Sequence, residues 1–307
     1  MIFDLVLLAM SKLRLKPDQP ITYYHVMTRT AQKSFLMEDA TFKEQVARII
    51  HDFAGIYYVE IVGWCLMDNH YHLAVKVLKP QQDNDDLERR FNLLQGHLKQ
   101  PKKWRKWLDP EIYYRRFTDL SKYMWEINRR IAIAFNTKHK TWGHFWGARF
   151  KSKVVEDQAA LLRVLAYIEQ NPVRAGLVEL PSLYPHCSAG RIKQALVLGQ
   201  RTKAPGVDWL ADLWEEDRAQ AYLTWTDRLA QLIHHPKIAA ARNDTSSILP
   251  QIAYSELEKT CAEIRAGTPS DWSTAGYGSP EFVNELKGWQ KAKSNQHAPN
   301  RRRSVVV

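Results

Sequence analysis

Two histidines one residue apart, His70 and His72, are the residues of this sequence best suited to binding a metal ion. The run from His70 to Leu78 is rich in β-branched and apolar residues and predicts a β-strand, in which successive side chains point to opposite faces. His70 and His72 therefore share one face about 7 Å apart, a spacing at which two imidazoles can ligate one cation. Tyr71 points to the other face. Most His-x-His triplets are ordinary strand residues, so the pair indicates a site only if it has a chemical partner.

A tyrosine and an amide, one helical turn apart, provide that partner. The segment 157–170 carries apolar residues at helical spacing, and Asp157 is its predicted N-cap. Tyr167 and Asn171 are four residues apart, which places the hydroxyl and the carboxamide on one helix face. Pro172 ends the helix at this point. A tyrosine oxygen can attack a phosphodiester whose charge a divalent cation neutralises, and the phosphotyrosine that forms retains the bond energy needed for rejoining strands.

Four blocks of the sequence resemble REP-associated tyrosine transposases, which lie within the single-tyrosine HUH (His-hydrophobic-His) nucleases, the IS200-like transposases. The resemblance spans residues 12–190 and implies a metal-dependent enzyme that cuts and rejoins single-stranded DNA beside a hairpin. The matching blocks are YYHVMTR at 23–29, GWCLMDNHYHLAVKV at 63–77, WGARFKSKVVED at 146–157 and AYIEQNPVRAGLV at 166–178.

The resemblance also implies a role for each residue of the site. Tyr167 corresponds to the nucleophile, and His70, His72 and Asn171 correspond to the metal ligands, with Gln170 as the fallback third ligand. Two neutral nitrogens and an amide oxygen leave coordination positions open for a phosphate oxygen and water. Such a site suits Mg²⁺ or Mn²⁺ better than a closed zinc cage.

The charge of the chain agrees with a nucleic-acid partner. The 307 residues carry a net charge of +11, and a field of that sign attracts a polyanion. From Lys99 to Lys153 there are fifteen Lys or Arg residues against four acids. They are interleaved with aromatic residues, a mixture that suits single strands whose bases can stack; these include Trp104, Trp107, Tyr113, Tyr114, Trp142, Phe145 and Trp146. The predicted DNA-binding residues are Arg129, Arg130, Arg149, Lys151, Lys153 and Arg174.

Cysteine content and the start of the chain indicate the cellular compartment in which the protein is expected. Three widely spaced cysteines give neither a disulfide framework nor a cysteine zinc site, and the chain has no P-loop, GxGxxG or GxSxG motif. The apolar opening 1–11 lacks a basic flank and is too short to span a bilayer. It is predicted to be an N-terminal extension, with translation from Met10 as an alternative. We therefore expect a cytoplasmic bacterial protein associated with the nucleoid and not with membranes.

The predicted fold class is α+β. Strands at 21–29, 57–66, 70–78 and 149–156 and helices at 42–54, 119–137 and 158–170 give the order β-α-β-β-α-β of a ferredoxin-like antiparallel sheet with helices on one face, followed by the tyrosine helix. The catalytic domain is predicted at 12–190. Within it, 79–116 is an insertion read as a helical lid or DNA-contacting arm. A helical region follows at 200–290, with helices at 209–233 and 252–266, and a basic tail at 291–307.

Two functions of different classes remain open from the sequence. One is an active single-strand DNA nuclease and strand transferase, and the other is a domesticated DNA-binding protein that lacks turnover. The presence of His70, His72, Tyr167 and Asn171 together favours the enzyme, because a protein that only binds DNA has no chemical need for all four. Whether the protein is a monomer or a homodimer stays open as well.

Overall fold

The computed structural model describes residues 16–98, 101, 104, 109–199, 216–234, 276–277, 282 and 284–287. Its strands are β1 (Ile21–Arg29), β2 (Val59–Leu66), β3 (His70–Leu78), β4 (Lys151–Val155) and β5 (Gly276–Tyr277). Its helices are α1 (Ala40–Ile56), α2 (Asn84–Gly96), α3 (Pro110–Phe117), α4 (Leu120–His139), α5 (Gln158–Glu169), α6 (Asn171–Arg174), α7 (Ser188–Val197) and α8 (Glu216–His234).

The sheet has the strand order β2-β3-β1-β4-β5. The first four strands pair antiparallel, and β5 adds a short parallel edge to β4. With α1 between β1 and β2 and α4 between β3 and β4, this is the predicted ferredoxin-like α+β arrangement. The four strands and three helices predicted between residues 21 and 170 begin and end no more than two residues from the observed ones, whereas the sequence did not predict β5.

The sheet is covered on both faces, because each strand divides its side chains between two cores. Tyr71, Leu73 and Val75 of β3 point into a core shared with α1 and α4, while Ala74 lies in a second core with residues of α5, α7 and α8. The two helices of the ferredoxin-like motif, α1 and α4, lie on one face as predicted, and the tyrosine helix α5 covers the other face together with α7 and α8. The small and apolar side chains of the second face, such as Cys65 and Val155, give α5 a surface against which to bury its own apolar stripe.

Helices α2 and α3 form the described part of the predicted 79–116 insertion. Leu87, Phe91 and Leu94 of α2 are buried in the core shared with α1 and α4. Arg90 lies 3.8 Å over the Tyr58 ring and donates to the backbone carbonyls of residues 55, 56 and 57 at the end of α1. This part of the insertion is packed onto the domain and does not project from it as an arm or lid.

The C-terminal part of the chain joins the same fold. Helix α8 packs against α7 and α5, and Leu286 is buried in the core shared with α1 and α4. The predicted helix 209–233 is described from Glu216 onward, whereas the extension 1–11, the helix 252–266 and the tail 291–307 lie outside the described residues. Among the helices of the described ranges, none combines the length and the apolar composition that a membrane crossing needs.

Candidate active site

The two histidines of β3 project from the face of the sheet that α5 covers. The hairpin turn after β2 is closed by a hydrogen bond from the Met67 amide to the His70 carbonyl at 2.8 Å, so His70 is the first residue of the returning strand. The rings of His70 and His72 have centroids 5.1 Å apart and are nearly perpendicular. Tyr71 points to the opposite face, where its hydroxyl donates to Asn128 Oδ1 of α4 at 2.6 Å. The predicted geometry of the triplet is confirmed.

Helix α5 brings Tyr167 to these histidines. Asp157 caps its first turn by accepting from the Ala160 amide at 2.7 Å, as predicted. The helix lies close to β2 at Gly63, where a Cβ atom would stand 2.3 Å from Leu165 Cδ2, so a larger residue there would require the Leu165 side chain to shift. The Tyr167 ring is half-buried and contacts the His72 ring edge to face at a centroid distance of 5.5 Å.

His25 of β1 is the third imidazole of the site. It is fully buried, its Nε2 lies 3.0 Å from His72 Nδ1, and its ring contacts the Tyr167 ring at 5.7 Å. Burial and the nearby Lys153 ammonium lower the pKa of His25 to about 3. Burial also lowers the pKa of His72 well below its usual value, so both rings are neutral, which is the form that binds a metal.

His70 lies between two amide oxygens. Its Nδ1 is 2.6 Å from Asn69 Oδ1, and its ring also hydrogen-bonds the side chain of Asn171. Burial, followed by the charge of Arg29, lowers the pKa of His70 to about 4. A neutral imidazole has one N–H and can satisfy only one of two acceptors.

The nitrogens of both amides are engaged elsewhere, which fixes their oxygens toward His70. Asn69 Nδ2 donates to the Lys33 carbonyl at 3.0 Å. Asn171 Nδ2 donates to the carbonyls of Tyr167 at 2.8 Å and Ile168 at 3.2 Å. The neutral His70 ring therefore lies beside two amide side chains and has one nitrogen lone pair available for a cation.

Gln170, the fallback ligand, is turned toward the C-terminal helix. Its Nε2 donates to the Thr226 carbonyl of α8 at 2.9 Å, and its side chain is fully buried. Its Oε1 has no hydrogen-bond partner among the residues that the structure describes. Across these same residues there is no cluster of three or more His, Cys, Asp or Glu side chains able to hold a metal ion. A site here would therefore use His70, His72 and an amide.

Two cations border the tyrosine. The Arg174 guanidinium carbon lies 5.3 Å from the centre of the Tyr167 ring, and this side chain is exposed. Arg29 lies opposite His70 in the β1–β3 pairing, and its Nε is buried without a hydrogen-bond partner in the described part of the chain. The charge of Arg29 lowers the pKa of both His70 and His72, so this guanidinium lies close to the two histidines.

The remaining predicted DNA-binding residues have different surroundings. Lys151 and Lys153 share the site's face of β4, but Lys151 is exposed whereas Lys153 is buried opposite His25. Arg149 is exposed just before this strand. Arg129 and Arg130 lie on α4, on the other side of the sheet, and both pair with the buried carboxylate of Glu126.

Most aromatic residues of the basic block pack inside the protein. Trp104 and Tyr113 contact Phe91 of α2, and Trp146 Nε1 donates to the Asn128 carbonyl. These rings are held in protein contacts, so the interpretation of the block as a base-stacking surface does not hold for them. Trp142 differs, because it is 92% exposed.

Comparison with known proteins confirms the resemblance over part of the chain. Residues 19–95, which include both histidines of β3, match the family described as Transposase IS200 like. A solved structure, of a REP-associated tyrosine transposase bound to a REP hairpin, aligns with 64% of this chain and 97% of its own chain, at 17% identity and a TM-score of 0.41. Comparison with curated proteins gave no match.

Proposed function

We propose that this relative of the IS200-like transposases is a metal-dependent single-strand DNA endonuclease and strand transferase that works through a phosphotyrosine intermediate. The observation that carries the proposal is the position of Tyr167, whose ring contacts the His72 ring at 5.5 Å within one chain. Neither residue needs this neighbour for packing alone, because apolar side chains would fill the same space. The family match supports the coarser statement of a DNA-processing role.

His70, His72 and Asn171 would hold the divalent metal, Mg²⁺ or Mn²⁺. The support is the contact of the His70 ring with the Asn171 side chain, together with the neutral state of both imidazoles. A metal bound there would neutralise charge on the scissile phosphate and polarise it toward attack. The geometry favours Asn171 over Gln170 as the third ligand, since the Asn171 side chain contacts His70, whereas the Gln170 side chain is turned toward Thr226 of α8.

The protein groups around Tyr167 would bind and orient the DNA backbone. Arg174 and Arg29 would each contact phosphate oxygens, because a guanidinium presents several N–H donors in a plane that matches them. The attack of the Tyr167 oxygen forms a phosphotyrosine bond and releases a 3′-hydroxyl. A hydroxyl from another strand reverses the step, so the bond energy is kept for strand transfer. We propose a single strand bearing a hairpin at a REP element as the substrate.

Covalent trapping tests this proposal. Tyr167→Phe removes only the attacking oxygen, so we expect no denaturation-resistant adduct with labelled hairpin DNA and Mn²⁺, while DNA affinity stays within a few-fold of the parent. The matched control is Tyr71→Phe. It removes a hydroxyl from the face of β3 opposite to His70 and His72 and should leave the adduct intact.

Each outcome of the trapping experiment has a distinct meaning. An adduct that persists in Tyr167→Phe would show that another residue is the nucleophile. Tight hairpin binding by the parent protein, with no adduct in Mg²⁺ or Mn²⁺, would favour the alternative of a domesticated DNA-binding protein.

A further inference from the structure

His25 stands out among the buried polar residues because it contacts two residues of the proposed site, His72 and Tyr167. It lies on β1, next to β3 in the sheet, and is fully buried. Its Nε2 is 3.0 Å from His72 Nδ1, and the two rings have centroids 5.1 Å apart. Its ring also meets the Tyr167 ring edge to face at 5.7 Å. His25, His72 and Tyr167 thus form a triangle of mutual contacts.

The hydrogen bond between the two imidazoles decides which nitrogen of His72 can bind a metal. At 3.0 Å, one of the two nitrogens must carry the proton and the other must accept it. If His72 Nδ1 donates, its Nε2 is the unprotonated nitrogen and carries the lone pair that can bind a metal. If His25 Nε2 donates instead, the proton of neutral His72 is on Nε2, and coordination through that nitrogen is blocked. The tautomer of His25 is therefore tied to the metal-binding ability of His72.

We infer that His25 is a positioning residue that accepts the Nδ1 proton of His72, exposes His72 Nε2 to the metal and holds the Tyr167 ring beside it. The inference rests on the proposed function, because it assigns a role within that metal site. A buried acceptor behind a ligating histidine orients its ring and raises its basicity, and loss of such an acceptor costs about 10- to 100-fold in metal affinity.

Two substitutions distinguish the role of the acceptor nitrogen of His25 from the role of its aromatic ring. His25→Phe keeps an aromatic ring against Tyr167 but has no acceptor, whereas His25→Gln keeps an acceptor oxygen near the former Nε2 but loses the ring. We expect Mn²⁺ affinity, measured by calorimetry without DNA, to fall about 10- to 100-fold in His25→Phe and clearly less in His25→Gln. His51→Phe is the matched control. His51 also lies beside an aromatic ring, Trp64, but it belongs to α1 on the other face of the sheet, so Mn²⁺ affinity should not change.

A measurement on the parent protein tests the inference without relying on the folding of any variant. The nitrogen-15 shifts of His72 in the metal-free protein should report a proton on Nδ1 and a bare Nε2. A proton on Nε2 would overturn the inference, as would a His25→Phe variant that binds Mn²⁺ as the parent does while His72→Ala does not. If His70→Ala and His72→Ala both keep parental Mn²⁺ affinity, the proposed metal site itself fails, which is a different result.

Discussion

A buried histidine outside the site makes the folded state sensitive to acid. The Nε2 atom of His51 on α1 is buried and lacks a hydrogen-bond partner within the described ranges. Burial, with the charge of Arg191, lowers the pKa of His51 to about 3. Between the unfolded pKa of about 6.5 and this value, the unfolded chain binds a proton that the folded protein does not. The contribution of neutral His51 to the stability of the folded protein is therefore complete above pH 6.5 and is lost progressively as the pH falls.

We predict that His51→Phe lessens this loss. Between pH 7 and pH 5, the free energy of unfolding of the parent should drop by up to about 2 kcal/mol more than that of the variant, since one proton contributes about 1.4 kcal/mol per pH unit. Urea unfolding at both pH values measures the difference. An equal drop in parent and variant would mean that His51 can be protonated without unfolding.

His25 shows why the candidate site was only partly predictable at the level of residues. The chemistry of His70, His72, Tyr167 and Asn171 follows from local spacing, because one strand and one helix turn fix which side chains share a face. The residues next to His25 in the sequence do not indicate a role for it in the same way. The role inferred for His25 arises from the pairing of β1 with β3, which sets two residues 47 positions apart within hydrogen-bond distance.

At the scale of elements, one carboxylate joins α3 and α4. Glu126 of α4 is 2% exposed and pairs with Arg116 at 3.3 Å, Arg129 at 3.2 Å and Arg130 at 2.9 Å. Arg130 also donates to the His97 carbonyl just after α2. Three guanidiniums around one buried carboxylate are stable together only while that negative charge is present.

Glu126→Gln should therefore destabilise the fold strongly. We expect a loss of about 3 kcal/mol in the free energy of unfolding, because three partly buried guanidiniums keep their charge and lose their counter-ion. Chemical denaturation measures it. Glu60→Gln is the control, since its pair with Lys76 is half-exposed and such pairs contribute at most about 1 kcal/mol. Similar losses in the two variants would contradict a special role for the cluster.

The helices and strands differ in how well the sequence predicts them. Alternating apolar residues gave β1 and β3, and a capping aspartate with a helical stripe gave α5, because both signals are local. Strand β5 is two residues long and exists through pairing with β4, more than a hundred residues earlier in the chain. The covering of the second face by α7 and α8 likewise depends on contacts distant in sequence. Composition does not distinguish a packed ring from an exposed one, so the sequence predicts Trp104 and Trp146 as part of a DNA-binding surface although both pack inside the protein.

At the scale of the whole molecule, the positive charge is not equally available to a polyanion. Arg149 and Lys151 are exposed near the site, whereas Lys153 is buried and Arg130 is held by Glu126. Only an exposed cation that meets a phosphate releases a counter-ion on binding. The net charge of +11 therefore does not indicate which of the basic residues can contact DNA.

We predict different salt dependences for two neighbouring lysine variants. Lys151→Met should weaken hairpin binding and lower the slope of log affinity against log salt concentration by about one, as expected for one lost phosphate contact. Lys153→Met, on the same face of the same strand, should leave the slope unchanged. Fluorescence anisotropy at several salt concentrations measures both. Equal slopes for the parent and Lys151→Met would place the phosphate contacts elsewhere.

The anchoring of α5 by the C-terminal helix has a kinetic consequence. The Glu169 carboxylate on α5 accepts from the Tyr222 hydroxyl of α8 at 2.8 Å, and Gln170 donates to the carbonyl of Thr226, so α5 is bound to a helix of its own chain. The tyrosine is thereby held against the histidines of the same polypeptide. If the protein acts as proposed, the nucleophile and the metal ligands of one site come from the same chain, so cleavage would not need the Tyr167 of a second copy.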